Sequence, residues 1–132
     1  MALLIQAACS QPPAGRTVHA TINDFRVHLP SPTLEGGLTS FVVYDRGPST
    51  HEFVVVRTAL ASDRLPLQAN GLSVDEGSPL LSPVGSLDVV ELDQTVTLTV
   101  RLSPGRYVIF CNFEGHYLGG MHAAFRVGPP AG

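Results

Sequence analysis

The sequence has no lysine and no tryptophan, and only 14% of its 132 residues are charged. Soluble domains usually carry about 25%. All eight basic residues are arginines, scattered along the chain and outnumbered by 11 acidic ones, for a net charge of -3. Phosphate neutralisation needs a clustered basic surface, so a nucleic-acid binder is excluded. Long apolar runs are also missing. The densest, residues 41–44 and 53–56, are far shorter than the roughly 20 apolar residues a membrane-spanning helix requires. Two cysteines are too few for a disulfide scaffold, and a chain of this length can bury a core without one. The chain does have 13 glycines and 11 prolines, which exclude a helical bundle and suit short strands joined by turns.

Residues 17–25 alternate, with Val18, Ala20 and Ile22 on one side and His19, Thr21 and Asn23 on the other. That pattern predicts a half-buried strand. Residues 39–44 and 52–58 are dense in Val and Phe and are separated by the turn sequence Asp45-Arg-Gly-Pro-Ser49. They read as strands buried on both faces. Residues 59–83 lose all periodicity and read as a long loop with a short helical turn near Val74, followed by a short strand at 89–92. Residues 94–102 alternate clearly, Ser103-Pro-Gly105 makes a turn, and residues 106–111 and 121–127 complete the set. Seven or eight strands without a helix predict an all-β fold, an antiparallel Greek-key β-sandwich.

The first residues, Met1-Ala-Leu-Leu-Ile-Gln-Ala-Ala-Cys9, join a short apolar run and small residues to a cysteine and a Pro-rich spacer. They resemble the end of a bacterial lipoprotein signal with Cys9 as the lipidated residue. Gln6 departs from the usual Leu, and the basic region and most of the apolar region are missing. Residues 1–15 are expected to form a tail outside the fold, and residues 16–129 the single domain.

The sulfur and imidazole that carry chemistry are concentrated in Cys111-Asn-Phe-Glu-Gly-His116-Tyr-Leu-Gly-Gly-Met121. A thiolate, an imidazole and a thioether occur at C-x4-H-x4-M spacing across one strand end, a loop and the next strand start. Thiolate with imidazole selects copper or zinc, and a thioether favours copper. A trigonal His2Cys site with a weak axial Met is the geometry of electron-transfer copper, and it needs a second histidine. His51, at a strand start directly after a turn, is the candidate. Strand parity separates Met121, which shares a face with Ala123, Phe125 and Val127, from His122, which is expected to point outward with Ala124 and Arg126. His19 and His28 alternate with apolar residues and read as exposed.

With His51-Glu-Phe at a strand start and Cys-x4-His-x4-Met in the hairpin, the sequence resembles the cupredoxins, on the rusticyanin and sulfocyanin side of that family. The resemblance implies one copper ion cycling between Cu(I) and Cu(II), with His51, Cys111 and His116 as equatorial ligands and Met121 as axial ligand. It implies a one-electron carrier outside the cytoplasm, periplasmic or at the cell surface, and not an enzyme, since such a site has no open position for substrate. A copper-binding role in Cu(I) storage, delivery or resistance is the alternative. Redox proteins such as cytochromes or oxidases are the expected partners, met by a monomer through an apolar patch formed by Gly115, Tyr117, Leu118, Gly119 and Gly120 around His116, with Gly47 and Pro48 near His51. Glu52 stands where Asn or Ser is common in the family, so hydrogen bonding around the Cys111 sulfur is open to retuning.

Overall fold

The computed structural model describes residues 15–130. The expectations for the N-terminal tail and for lipidation of Cys9 concern residues outside this range. Nine strands form two sheets: β1 (Arg16–Asn23), β2 (Arg26–His28), β3 (Thr33–Glu35), β4 (Gly37–Asp45), β5 (His51–Arg57), β6 (Ser82–Val90), β7 (Thr95–Leu102), β8 (Gly105–Phe110) and β9 (His122–Gly128). One sheet has the order β2-β1-β4-β7 and the other β3-β9-β8-β5-β6. The all-β sandwich expected from the sequence is present. Its sheets are mixed, however, because β1 pairs parallel with β4, and β3 parallel with β9. The remaining pairings are antiparallel.

The core lies between the sheets, where alternate residues of each strand meet. Val18, Ala20 and Ile22 of β1 lie beside Phe41 and Val43 of β4 on one sheet, and Phe53, Val55, Ile109 and Phe125 close the layer from the other. Phe41 is the hub, with ring centroids 5.6 Å from Phe53 and 5.9 Å from Phe125. Both faces of β5 are buried, as its sequence predicts. Those of β4 are not: Thr39, Phe41, Val43 and Asp45 point inward, while half-buried Val42 and exposed Tyr44 line the outer face.

The difference arises from residues 58–81, which lie over the outer face of the five-stranded sheet. Leu65, Val74 and Leu81 pack there on Val54, Val56, Val108 and Phe110 in a second apolar layer. Within the segment the expected helical turn is replaced by an isolated bridge between Leu67 and Val74. The strand expected at 89–92 is instead the nine-residue β6, which starts at Ser82. Pro83 and Gly85 hid it. Both are tolerated because β6 is an edge strand, and because a Cβ on Gly85 would stand 2.8 Å from Val100 of the opposite sheet. The strand at 17–25 ends at Asn23, since Phe25 adopts φ +66° in the turn to β2.

Candidate metal centre

The site occupies one end of the sandwich, where β5 begins and β8 ends. Cys111 follows directly on β8, and Met121 directly precedes β9. The hairpin between them is short enough to close on itself. His116 N–H donates to Phe113 O at 3.0 Å, Met121 N–H to His116 O at 3.1 Å, and Cys111 N–H to Met121 O at 3.2 Å. Gly115, at φ +80°, supplies the left-handed turn that brings His116 back over Cys111. The result is that Cys111 Sγ and His116 Nδ1 lie 3.7 Å apart. Across the site, the Glu52 amide donates to Cys111 Sγ at 3.3 Å. This contact joins the two motifs that sequence alone could only place at the same end of the fold.

His51, Cys111 and Met121 are fully buried. The rings of His51 and His116 meet edge to face with centroids 5.2 Å apart. His51 is also held by two carboxylates that the sequence reading missed. Its Nδ1 lies 3.0 Å from Asp45 Oδ2. Its Nε2 lies 2.8 Å from Asp24 Oδ1 but off the hydrogen-bonding direction, and so has no hydrogen-bond partner despite complete burial. No three His, Cys, Asp or Glu side chains among the described residues stand as a ready-made metal cage. Cys111 and His116 are thus brought together directly, while His51 and Met121 are placed beside them. A signal for Asp45 was present: it shares the parity of Phe41 and Val43, so an acid was due to point inward. Asp24, in a turn, gave none.

Burial pushes the Cys111 thiol above its ordinary range, and the Glu52 and Asp45 carboxylates add to this against the lowering effect of the Phe113 and Glu52 amides. The free thiol therefore keeps its proton at neutral pH, and any metal that takes this sulfur must displace it. Desolvation also opposes ionisation of Asp24, but hydrogen bonds from the Ser49 hydroxyl and amide, together with His51, outweigh it and hold the carboxyl below its usual value.

Glu52 is only part-buried, yet burial and the nearby Glu76 and Asp88 carboxylates raise it from 4.5 to about 7. Between those values the folded chain holds a proton that the unfolded chain releases, so stability falls as pH rises from about 4.5 to about 7. After solvent screening the fall is about 1 kcal/mol. Denaturant unfolding across this range should show that slope in the wild type and a flatter one in Glu52→Gln.

The loop of residues 58–81 clamps the hairpin from outside. Asn112 accepts from the Val74 amide at 2.7 Å and donates to Glu76 Oε2 at 2.8 Å. Tyr117, expected in a surface patch, is instead buried, donating to Ser62 O at 2.6 Å and accepting from the Leu65 amide at 3.0 Å. His122 does point away from Met121, but it meets Tyr117 and lies 2.9 Å from Ser62 Oγ instead of facing open solvent. The loop, whose course the sequence did not reveal, explains both corrections. His19 and His28 are exposed, as expected. The surface beside His116 is formed by Leu118 and by Phe25, each 52% exposed, with the Phe25 ring centroid 5.8 Å from that of His116. A Cβ on Gly119 would collide with the Phe25 ring, so a larger residue there would displace that ring.

No protein-family model matches the sequence, and no curated protein matches it. The fold does have solved counterparts. Dithionite-reduced auracyanin from Roseiflexus castenholzii superposes with a TM-score of 0.63 at 18% identity, covering 88% of this chain and 99% of that one. Auracyanin B gives 0.61 at 20% identity, covering 90% and 93%. Rusticyanin from Thiobacillus ferrooxidans gives 0.58 at 19% identity, covering 87% and 79%. The chain has the cupredoxin fold, the fold of the auracyanins and rusticyanins.

Proposed function

We propose that this protein is a mononuclear type 1 copper protein that carries single electrons between redox partners outside the cytoplasm. The observation that carries the reading is the Glu52 amide donating to Cys111 Sγ at 3.3 Å, with His116 Nδ1 at 3.7 Å from the same sulfur. A buried cysteine sulfur that accepts an amide hydrogen bond next to an imidazole matches the donor chemistry of a copper–thiolate centre once the metal displaces its proton.

The residues fit one copper ion: Cys111, His116 and His51 as strong ligands and Met121 as the weak one. His51 would use one ring nitrogen and leave the other on a carboxylate, which is how ligating histidines are commonly held. When bound, copper supplies reversible one-electron chemistry, and the surrounding chain does the rest. β5, β8 and β9 fix the ligand backbones, the clamp of Asn112 and Tyr117 resists movement of the hairpin, and burial excludes water from the sulfur. A scaffold of this kind keeps the ligands in place in both redox states, so little rearrangement accompanies electron transfer. Phe25 and Leu118 give His116 an apolar surround suited to brief encounters with cytochromes or oxidases, which bury little area and separate quickly. Cys9 would add a lipid tether.

Electron self-exchange of the copper-loaded protein, measured by NMR line broadening, tests the carrier role. Fast exchange is expected. Slow exchange combined with tight, readily transferred Cu(I) would assign the protein to copper storage or delivery instead.

A further inference from the structure

The outer face of the four-stranded sheet carries no acid. Of the side chains that β1, β2, β4 and β7 turn outward, none is Asp or Glu, while His19, Arg26, His28 and Arg101 are among them. In a chain of net charge -3 this face stands apart.

The strand register gathers part of it into a site. Val27 of β2 and Ile22 of β1 are cross-strand partners that both point into the core, so their neighbours Arg26, His28, Thr21 and Asn23 point outward together. Arg46 joins them from the other side. It follows Asp45, which is buried and pairs with Ile22, and its amide donates to Ile22 O at 2.8 Å, which continues the ladder beside Asn23. Asn23 thus stands between Arg26 and Arg46, whose backbones are two strand spacings, or about 10 Å, apart. These five side chains line one cavity of about 280 Å³. Each can donate a hydrogen bond, and none is acidic or apolar.

The carboxylates closest in sequence are engaged elsewhere. Asp24 is held by the Ser49 amide and hydroxyl and faces His51. Asp45 lies in the core against the Gly47 amide and His51, and Asp93 accepts from the Tyr44 hydroxyl at 2.9 Å. Among the described residues, no carboxylate lies within 4.0 Å of Arg26 or Arg46.

We propose that Arg26 and Arg46, with His28, Thr21 and Asn23, form a binding site for a phosphate-type oxyanion, either free or carried on a lipid headgroup. Two guanidinium forks on opposite sides of one cavity suit a tetrahedral anion, which accepts paired charge-assisted hydrogen bonds from each. Asn23 is braced between them, because its Nδ2 donates to Asp24 O at 3.3 Å and keeps a second N–H for the ligand. The bound anion also supplies the negative charge that the chain itself withholds from this face. No proposed metal ligand lines the cavity, so the site is separate from the metal centre.

The test titrates the full chain with inorganic phosphate at fixed pH, against sodium chloride at matched ionic strength, while backbone amide NMR shifts are followed. A parallel arm sediments the protein with vesicles of equimolar phosphatidylglycerol and phosphatidylcholine, against phosphatidylcholine alone. Saturable, phosphate-specific shifts at Thr21, Asn23, Arg26 and Arg46 identify a free anion as ligand. Sedimentation with the anionic vesicles and no phosphate response identifies the headgroup. In either case Arg26→Gln and Arg46→Gln, both at exposed positions, should each weaken binding about fivefold. Arg101→Gln, on the same face but outside the cavity, should leave binding unchanged. The proposal is overturned if neither ligand binds, if chloride reproduces the shifts, if the folded Arg26 and Arg46 variants bind as tightly as the wild type, or if Arg101→Gln weakens binding as much as they do.

Discussion

Phe41→Ala should cost about 3–5 kcal/mol of folding stability, a large share of the roughly 5–15 kcal/mol that a domain of this size has. Phe41 is fully buried and touches Phe53 from the facing sheet and Phe125 from the last strand. Removing the ring takes away two aromatic contacts between the sheets and leaves a cavity. Its neighbours cannot collapse into that cavity, because Phe125 is itself stacked on Tyr107 at 5.1 Å. Urea unfolding should show a lower midpoint with an unchanged slope. A loss below about 1 kcal/mol would mean that the inter-sheet layer is not the core that holds the fold.

Asp45→Ala should be the next most damaging change, costing about 2–6 kcal/mol. Asp45 is fully buried at the end of β4, where Oδ1 accepts from the Gly47 amide at 2.7 Å and Oδ2 lies 3.0 Å from His51 Nδ1. Alanine leaves the amide and the imidazole nitrogen buried without partners, at about 1–3 kcal/mol each. Asp45→Asn keeps the volume and the acceptor for Gly47, so it should recover at least half of the loss. If the alanine variant unfolds at the wild-type urea concentration, Asp45 does not hold the turn before His51.

The strands legible in the sequence were those with clean alternation from one covered face and, in β5, a dense apolar run buried on both. Val18, Ala20 and Ile22, and the Val96-to-Leu102 series, declared their inward faces because period-two patterning is a direct record of one-sided burial. β6 was obscured because an edge strand tolerates Pro83 and Gly85, residues that usually mark a turn. The parallel pairings of β1 with β4 and β3 with β9 leave no trace in local pattern, since they depend on which distant strand lies alongside. The hairpin from Cys111 to Met121 was legible because its chemistry is compact in sequence.

The surroundings of the hairpin were not legible. Asn112, Tyr117 and His122 take their roles from residues 58–81, an aperiodic segment whose path is set by its packing on Val54, Val56 and Val108. Phe25 read as the end of a strand, yet at φ +66° it turns out to cover His116.

The central claim, that Cys111 is a copper ligand in a centre built with His51, His116 and Met121, is tested most directly by adding Cu(II) to the purified metal-free protein and recording its visible absorption. The account predicts an intense thiolate-to-copper band at one equivalent, absent in Cys111→Ser. A protein that binds Cu(II) and stays colourless, or a band that persists in the serine variant, would contradict it.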